Sequence, residues 1–282
     1  MKNRNERQQT AQETILILNE GHYCTTAGST VSIQTALRRA VDGTKVIRPG
    51  DWRAVVRNAT QMPPRAASAQ VEVTDETTLG AARRLIQRES VQAVAALNFA
   101  SAKNAGGGFL NGSLAQEESL AVASGLYQTL LVGEDYYTAN RQCRSLLYTN
   151  HAIYSPEVPV LRDDGGQLLD EPYQVSFITM PAPNIGAMRA GDPDLDRVED
   201  TLRLRIEYVL ALTAAEGRTS VILGAWGCGV FRNDPRQLAG LFRGVLLGTG
   251  NWSHRFERIV FAIFDTSHDR HVLRAFETEF AQ

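Results

Sequence analysis

The stretch that decides the fold is VQAVAALNFASAKNAGGGFLNGSLAQEESL, residues 91–120. It opens with a continuous apolar run, residues 91–98, which is typical of a strand buried on both faces. A glycine-rich loop follows, and the residues after it predict a helix over 113–131. Ser113 is the expected N-cap of that helix, with Gln116 at the capping-box spacing. The order strand, loop and helix indicates an α/β protein.

Outward from this stretch, predicted strands and helices alternate along the chain. The predicted strands are residues 69–74, 91–98, 152–154, 158–161, 173–180, 220–223 and 258–264, and the predicted helices are residues 11–19, 77–88, 113–131, 194–216, 235–247 and 269–280. The alternation predicts a three-layer α/β/α sandwich. Pro63-Pro64 marks a break. Residues 1–68 are therefore expected to form an N-terminal helical and strand extension packed on a core of residues 69–282.

The composition excludes several classes of protein and indicates the cellular compartment. The 282 residues are 43% apolar and 21% charged, as in ordinary globular proteins. A net charge of −2 argues against bulk nucleic-acid binding, so an anionic ligand must be met by a local site. The three cysteines suit neither a disulfide framework nor a zinc site. Residues 1–10 have no apolar signal core, and no run is long enough for a membrane span. We expect a cytoplasmic protein without a metal.

Two glycine loops carry the candidate binding chemistry. Gly106-Gly107-Gly108 allows positive φ and close approach to a ligand, and a glycine loop before a helix offers outward N–H groups to an anion. The second loop, GAWGCGVFRNDP, spans residues 224–235. Both loops follow predicted strands, so both are expected at one crevice, at the carboxyl edge of the sheet. Each could also be a tight turn without function.

The triplet Gln116-Glu117-Glu118 is the candidate acid–base group. Adjacent helix residues project about 100° apart, so the two carboxylates must have different roles. One would hold sugar hydroxyls while the other faces the bond to be broken. The simpler alternative is that both glutamates stabilise the helix dipole. In the second loop, Phe231 offers an aromatic face to a ribose or base, whereas Cys228 has no histidine beside it in the sequence to activate it as a nucleophile.

The two glycine loops and the glutamates stand among further recognisable stretches. The glycine triplet precedes QEE by seven residues, and NFASA, GAWGCGVFRND, YSPEVPVLRDDGG and FITMPAPN surround them. This combination resembles the signature of the poly(ADP-ribose) glycohydrolases, specifically their bacterial-type branch. The resemblance runs from about residue 10 to the end of the chain.

The resemblance implies a macrodomain-like fold with a mixed sheet that binds ADP-ribose. It implies hydrolysis of the ribose–ribose O-glycosidic bonds of poly(ADP-ribose), mainly from the chain end. Glu118 would be the general acid and base, and Glu117 would hold the ribose beside the scissile bond. The implied substrate contacts are Asn98, Gly106, Gly107, Gly108, Gln116, Gly227, Cys228, Gly229, Val230 and Phe231. Residues 76–78 are candidates for contacting adenine.

No metal or organic cofactor is implied. The expected partners are poly(ADP-ribose), ADP-ribose and ADP-ribosylated proteins, with no membrane or nucleic acid, and the protein is expected to be a monomer. Two alternatives remain within the macrodomain fold: a module that reads ADP-ribose without cleaving it, and a mono-ADP-ribosyl hydrolase. A dinucleotide-binding oxidoreductase is disfavoured, because GxGxxG does not follow a first strand.

Overall fold

The structure, a computed structural model, describes residues 3–248 and 252–281. Its strands are β1 (His22–Cys24), β2 (Thr30–Ser32), β3 (Lys45–Ile47), β4 (Gln70–Thr74), β5 (Val94–Phe99), β6 (Ala152–Arg162), β7 (Leu168–Met180), β8 (Ser220–Leu223) and β9 (Arg258–Ala262). Its α-helices are α1 (Arg4–Glu20), α2 (Gln34–Asp42), α3 (Trp52–Gln61), α4 (Thr78–Arg83), α5 (Gln116–Ala123), α6 (Leu126–Val132), α7 (Glu134–Gln142), α8 (Val198–Ala215), α9 (Pro235–Leu247) and α10 (His271–Phe280).

Within the described residues, seven strands form one mixed sheet in the order β3-β6-β7-β5-β8-β9-β4. The pairs from β7 through β4 are parallel, whereas β6 pairs antiparallel with both β7 and β3. Because β4, β5, β8 and β9 run in the same direction, the loops that follow them meet at one edge of the sheet. That edge carries both glycine loops.

Both faces of the central sheet are covered by helices. In β5, Ala95 and Leu97 belong to an apolar cluster that includes residues of α8, α9 and α10. Val94 and Ala96 point to the opposite face, into a cluster that includes residues of α4, α5 and α6. This alternation is what a strand buried on both faces produces. The three-layer α/β/α sandwich with a mixed sheet is confirmed.

The helix predicted over residues 113–131 is two helices, α5 and α6, and its predicted start was wrong. Ala115 is the N-cap, and no side chain caps it. The break falls at Ser124, which is extended and bridges to Val160, and Gly125 N–H donates to the Pro159 carbonyl at 2.9 Å. A Cβ at Gly125 would lie 2.7 Å from Leu37, so the break is set by close packing on neighbouring elements.

The part of the chain before residue 69 supplies the edge of the same sheet. β3 pairs with β6, and α3 packs on α8, where the Trp52 and Tyr208 rings stack with centroids 4.2 Å apart. The helices α3 and α7 were missed in the sequence, and the strands predicted at 152–154 and 158–161 are one bulged strand, β6. The division of the chain at residue 68 stays a prediction.

Candidate active site

A cleft of about 940 Å³ lies at the carboxyl edge of the sheet. The residues that follow β4, β5, β8 and β9 contribute to its lining, together with the start of α5. Gln116 and Glu118 line it from the first glycine loop and its helix, and Cys228 and Gly229 line it from the second loop. The prediction that both loops meet at one crevice is confirmed.

The first glycine loop makes room for the two glutamates. Gly106 and Gly107 have φ of 68° and 60°, as predicted for the triplet, whereas Gly108 has φ of −107°. A Cβ on Gly107 would lie 2.9 Å from the carboxyl carbon of Glu118 and 3.3 Å from Oε2 of Glu117. Glycine is therefore required at this position by both backbone conformation and space.

The N–H groups of this loop are used differently from the prediction. The Gly107 N–H donates to the Asn104 carbonyl at 3.0 Å, and the Gly108 N–H donates to Glu118 Oε1 at 2.9 Å. They do not point outward as free donors for an anion. The loop instead holds the half-buried Glu118 carboxylate at the cleft wall.

Glu117 lies behind that wall and is only 2% exposed. Its carboxylate accepts from the Ser101 N–H at 2.7 Å and from Asn98 Nδ2 at 3.2 Å. Burial raises the pKa of Glu117 from 4.5 to about 8, and the negative charge of Glu118 adds to this. The donors from Ser101, Asn98 and Gly106 act in the opposite direction but do not outweigh burial. The two adjacent carboxyls therefore occupy different environments, and Glu117 holds a proton at neutral pH.

Two predicted substrate contacts use their side chains to join elements of the fold. Asn98 is fully buried and donates to Glu117 and to Thr179 Oγ1. Gln116 accepts from the Phe99 N–H at 2.8 Å and donates to the Leu97 carbonyl at 2.8 Å, both in β5. Their contact with substrate stays a prediction.

The second loop is held by residues 182, 183 and 233 at its base, and its tip is exposed to solvent. Gly227 has φ of 78°, and a Cβ there would lie 2.6 Å from the Ala182 side chain. Asn233 donates to the Gly227 and Pro183 carbonyls at 3.1 and 2.9 Å. Val230 is 80% exposed at the tip of the loop. The loop therefore protrudes at the edge of the cleft on a base that these contacts hold in place.

Cys228 and Phe231 lie on either side of that tip. Burial raises the pKa of Cys228 to about 12, with a contribution from the charge of Asp234. The thiol is therefore protonated at neutral pH and poorly suited to act as a nucleophile. The half-buried Phe231 ring lies 6.1 Å from the Tyr148 ring. Its place on this loop is compatible with the predicted contact to a ribose.

Sequence reasoning missed several residues at the cleft. Phe264 is 64% exposed and lines the cleft just after β9, so the strand-end rule that found the glycine loops could have found it. Arg7 of α1 also lines the cleft, and no local pattern indicates that. Beside the second loop, Tyr148 was also missed: its ring lies 6.1 Å from that of Phe231, its φ of 61° is rare for a bulky residue, and the buried Arg205 donates to its carbonyl at 3.1 Å.

Two features are absent from the described residues, 3–248 and 252–281. No group of three or more His, Cys, Asp or Glu side chains there is arranged to hold a metal ion. No helix in those ranges has the length and apolar character that crossing a membrane requires.

Comparisons with known proteins give consistent results. The family described as microbial-type PARG, catalytic domain, matches residues 11–163. The chain is similar to the poly(ADP-ribose) glycohydrolase (PARG) of Thermomonospora curvata, with 44% identity, a TM-score of 0.91, and coverage of 98% of this chain and 100% of that chain. The same bacterial protein bound to the inhibitor ADP-HPD matches at 43% identity, a TM-score of 0.89 and the same coverage.

A third solved structure, from another organism, is also similar. The poly(ADP-ribose) glycohydrolase of Deinococcus radiodurans in complex with ADP-ribose matches at 46% identity and a TM-score of 0.80, covering 87% of this chain and 96% of that chain. No curated protein matches the sequence.

Proposed function

Because this chain belongs to the family of microbial-type poly(ADP-ribose) glycohydrolases, we propose that the cleft between its glycine loops is the site at which it hydrolyses poly(ADP-ribose). The protein is a glycosidase, and its substrate is the polymer with its ribose–ribose O-glycosidic bonds. ADP-ribose is the released product and the ligand that the cleft accommodates. The ADP-ribose bound to the similar Deinococcus protein supports this choice of ligand.

Glu118 is the proposed general acid and base. The observation that carries this assignment is the position of its carboxylate at the cleft wall, where the Gly108 N–H holds Oε1 at 2.9 Å. Protonated Glu118 gives its proton to the leaving ribose oxygen as the glycosidic C–O bond breaks. The resulting carboxylate takes a proton from the attacking water, whose oxygen bonds to the anomeric carbon. The acid is thereby restored.

Glu117 is proposed to hold the ribose beside the bond that breaks. Most glycosidases place two carboxyl groups on the reacting bond. Here the burial of Glu117 and its pKa of about 8 favour a neutral, hydrogen-bonding group over a second carboxylate nucleophile. A protonated carboxyl can both donate to and accept from sugar hydroxyls. This supports a mechanism with one acid–base residue and one positioning partner.

The remaining predicted contacts are proposed to place ADP-ribose along the cleft. The glycine triplet and residues 227–231 flank the diphosphate and distal ribose, with Phe231 against that ribose and Asn98 supporting Glu117. Residues 76–78 line the cleft, which supports their proposed place beside the adenine. Cleavage mainly from the chain end is proposed because the second loop, whose tip residue Val230 is 80% exposed, would crowd the distal ribose of a unit inside the polymer.

The proposed setting is a monomer in the cytoplasm that acts on free and protein-attached polymer. Support for a reducing compartment comes from the three cysteines, Cys24, Cys143 and Cys228, all of which are free thiols in the structure.

The substitution Glu118→Gln tests the assignment. Purified polymer is incubated with the wild type, E118Q and the matched control E277Q, which changes an exposed glutamate of α10. We expect the wild type and E277Q to release ADP-ribose, identified by its mass. E118Q should lose at least about a hundredfold in rate, as removal of a general acid implies, while still binding ADP-ribose. Unchanged polymer cleavage by E118Q would refute the role of Glu118. If the wild type bound ADP-ribose without cleaving the polymer, the protein would be a module that only binds ADP-ribose.

A further inference from the structure

Helix α1 contacts the first glycine loop through two arginines. Arg4 Nε donates to the Asn111 carbonyl at 2.9 Å, and Arg7 Nε donates to the Gly112 carbonyl at 2.7 Å. Gly112 has φ of 70°, and a Cβ there would lie 3.0 Å from Arg4 Cγ and 3.1 Å from Gln8 Cγ. The helix therefore lies directly on the turn that follows the glycine triplet.

Apolar packing joins the same helix to the loop and to α5. Phe109, Ala11 and Ala121 are buried together in one small cluster. Thr14 Oγ1 donates to the Val122 carbonyl of α5 at 2.8 Å. Helix α1 thus touches both the loop and the helix that carries Glu117 and Glu118.

The contacts continue from the loop to the catalytic carboxyl. A Cβ on Gly106 would lie 2.9 Å from the Phe109 ring, so the ring and the glycine backbone are in close contact. Two residues further on, the Gly108 N–H donates to Glu118 Oε1 at 2.9 Å. A displacement of the turn at residues 109–112 would move that donor away from the carboxylate.

We propose that α1 is a positioning element of the active site, in which Arg4 and Arg7 are positioning residues that hold the glycine loop against Glu118. This inference rests on the proposed function, because it assigns a role in the same reaction. It gives part of the N-terminal extension a task in catalysis. Both arginines donate through Nε to backbone carbonyls, so we expect the required group to be an N–H donor bonded to Cδ rather than a positive charge.

That requirement leads to a matched pair of variants. The Nε2 of glutamine is attached to Cδ, as the Nε of arginine is, so R4Q/R7Q keeps an N–H donor at the same bond position without the charge. R4M/R7M keeps similar side-chain length and removes the donor. The control R38M/R39M makes the same change at two exposed arginines of α2.

Activity and binding are measured separately on the full chain. R4M/R7M should lower kcat by about tenfold or more, since a displacement of about 1 Å at a catalytic group is costly, while the Kd of ADP-ribose changes by less than about twofold. R4Q/R7Q should recover most of kcat, and R38M/R39M should match the wild type. An unchanged kcat in R4M/R7M, or failure of R4Q/R7Q to recover it, would overturn the proposal; the latter result would point to charge, as in a phosphate contact by Arg7.

A second measurement separates this inference from the proposed function. Hydrogen exchange of the Gly108 amide reports the loop directly, whether or not the wild type cleaves polymer. We expect faster exchange there in R4M/R7M and wild-type exchange in R4Q/R7Q and R38M/R39M. Equal protection in all four proteins would overturn the positioning role. If R4M/R7M does not fold, R4M alone, which alters an exposed side chain, takes its place in both measurements.

Discussion

Gly107 is the residue on which the placement of both glutamates depends. Gly107→Ala would strain a backbone at φ of 60° and place a methyl group 2.9 Å from the Glu118 carboxyl carbon. The left-handed conformation alone costs about 1–2 kcal/mol for an L-residue. We expect G107A to lose stability by more than that and to lose at least about tenfold in kcat, because the carboxylate must move. Urea unfolding and polymer cleavage measure the two effects.

Gly191→Ala is the control that separates strain from crowding. Gly191 has φ of 81°, and its position has no atom within 4 Å of an added Cβ among the described residues. G191A should therefore show the strain cost with unchanged kcat. Equal losses of stability and of kcat in G107A and G191A would show that crowding of the Glu118 carboxyl by the added methyl group has no effect.

Glu117 should make the stability of the protein depend on pH. Its pKa is about 8 in the folded protein, against the usual 4.5. Between these values the unfolded chain is ionised and the folded protein holds the proton, so raising the pH disfavours folding. Glu117→Gln removes this titration. The free energy of unfolding of E117Q minus that of the wild type should rise from about pH 5 to about pH 8 and then level off. The slope of the rise should be at most about 1.4 kcal/mol per pH unit.

Urea unfolding at pH 5, 6.5, 8 and 9 measures this difference, with E277Q as the control. E277Q controls for the exchange of a glutamate at an exposed position of α10. A difference for E117Q that does not change with pH would mean that burial does not raise the pKa of Glu117.

At this scale the sequence located the two glutamates but not their environments. Adjacent helix positions had to differ in direction, which is geometry that the helix itself dictates. The buried member is Glu117, and that follows from the distant residues Asn98 and Ser101, which fold over it. The inward use of the Gly108 N–H is likewise a tertiary contact that composition cannot reveal.

Among the elements, the junction of α5 with β5 depends on Gln116. Its side-chain oxygen accepts from the Phe99 N–H, and its side-chain nitrogen donates to the Leu97 carbonyl, both at the end of β5. The same nitrogen also donates to Thr78 Oγ1 at 3.1 Å. Gln116→Met leaves those partly buried backbone groups without partners, each at a cost of about 1–3 kcal/mol. We expect a loss of a few kcal/mol in the free energy of unfolding, together with lower kcat because α5 carries Glu118.

Gln237→Met is the matched control for this substitution. Gln237 lies on the exposed first turn of α9 and donates to Glu199 at 3.3 Å. Q237M should change stability by less than about 0.5 kcal/mol and leave kcat unchanged. Similar unfolding curves for Q116M and the wild type would show that Gln116 is not an anchor.

The strands were easier to predict than the helix ends, and the reason is physical. A strand buried on both faces, such as β5, is marked by its own apolar run. The break between α5 and α6 is not, because Ser124 leaves the helix to bridge Val160 of a strand more than thirty residues later. The helix α3 was missed because its amphipathic pattern falls in a segment with many polar residues, and its buried Trp52 gains an apolar partner only on folding, when it stacks on Tyr208 of α8.

On the scale of the whole molecule, the extension and the core share one sheet and one apolar cluster. β3 completes the edge beside β6, and Trp52 is 2% exposed within the cluster that contains Ala95 and Leu97 of β5. Apolar area that is buried between two segments stabilises both, so neither should unfold alone. We therefore expect α3 and β5 to lose protection together, although they lie on opposite sides of residue 68.

Hydrogen exchange in increasing urea, followed by mass spectrometry of peptides from α3 and β5, tests this coupling. Both peptides should share one midpoint in the wild type. Trp52→Ala should lower both midpoints equally, because removing a core tryptophan costs about 3–5 kcal/mol of the common stability. Phe264→Ala, which removes an aromatic ring that is 64% exposed, should leave both midpoints in place. Loss of protection in α3 at lower urea than in β5, with W52A affecting α3 alone, would show that the extension unfolds as a separate unit.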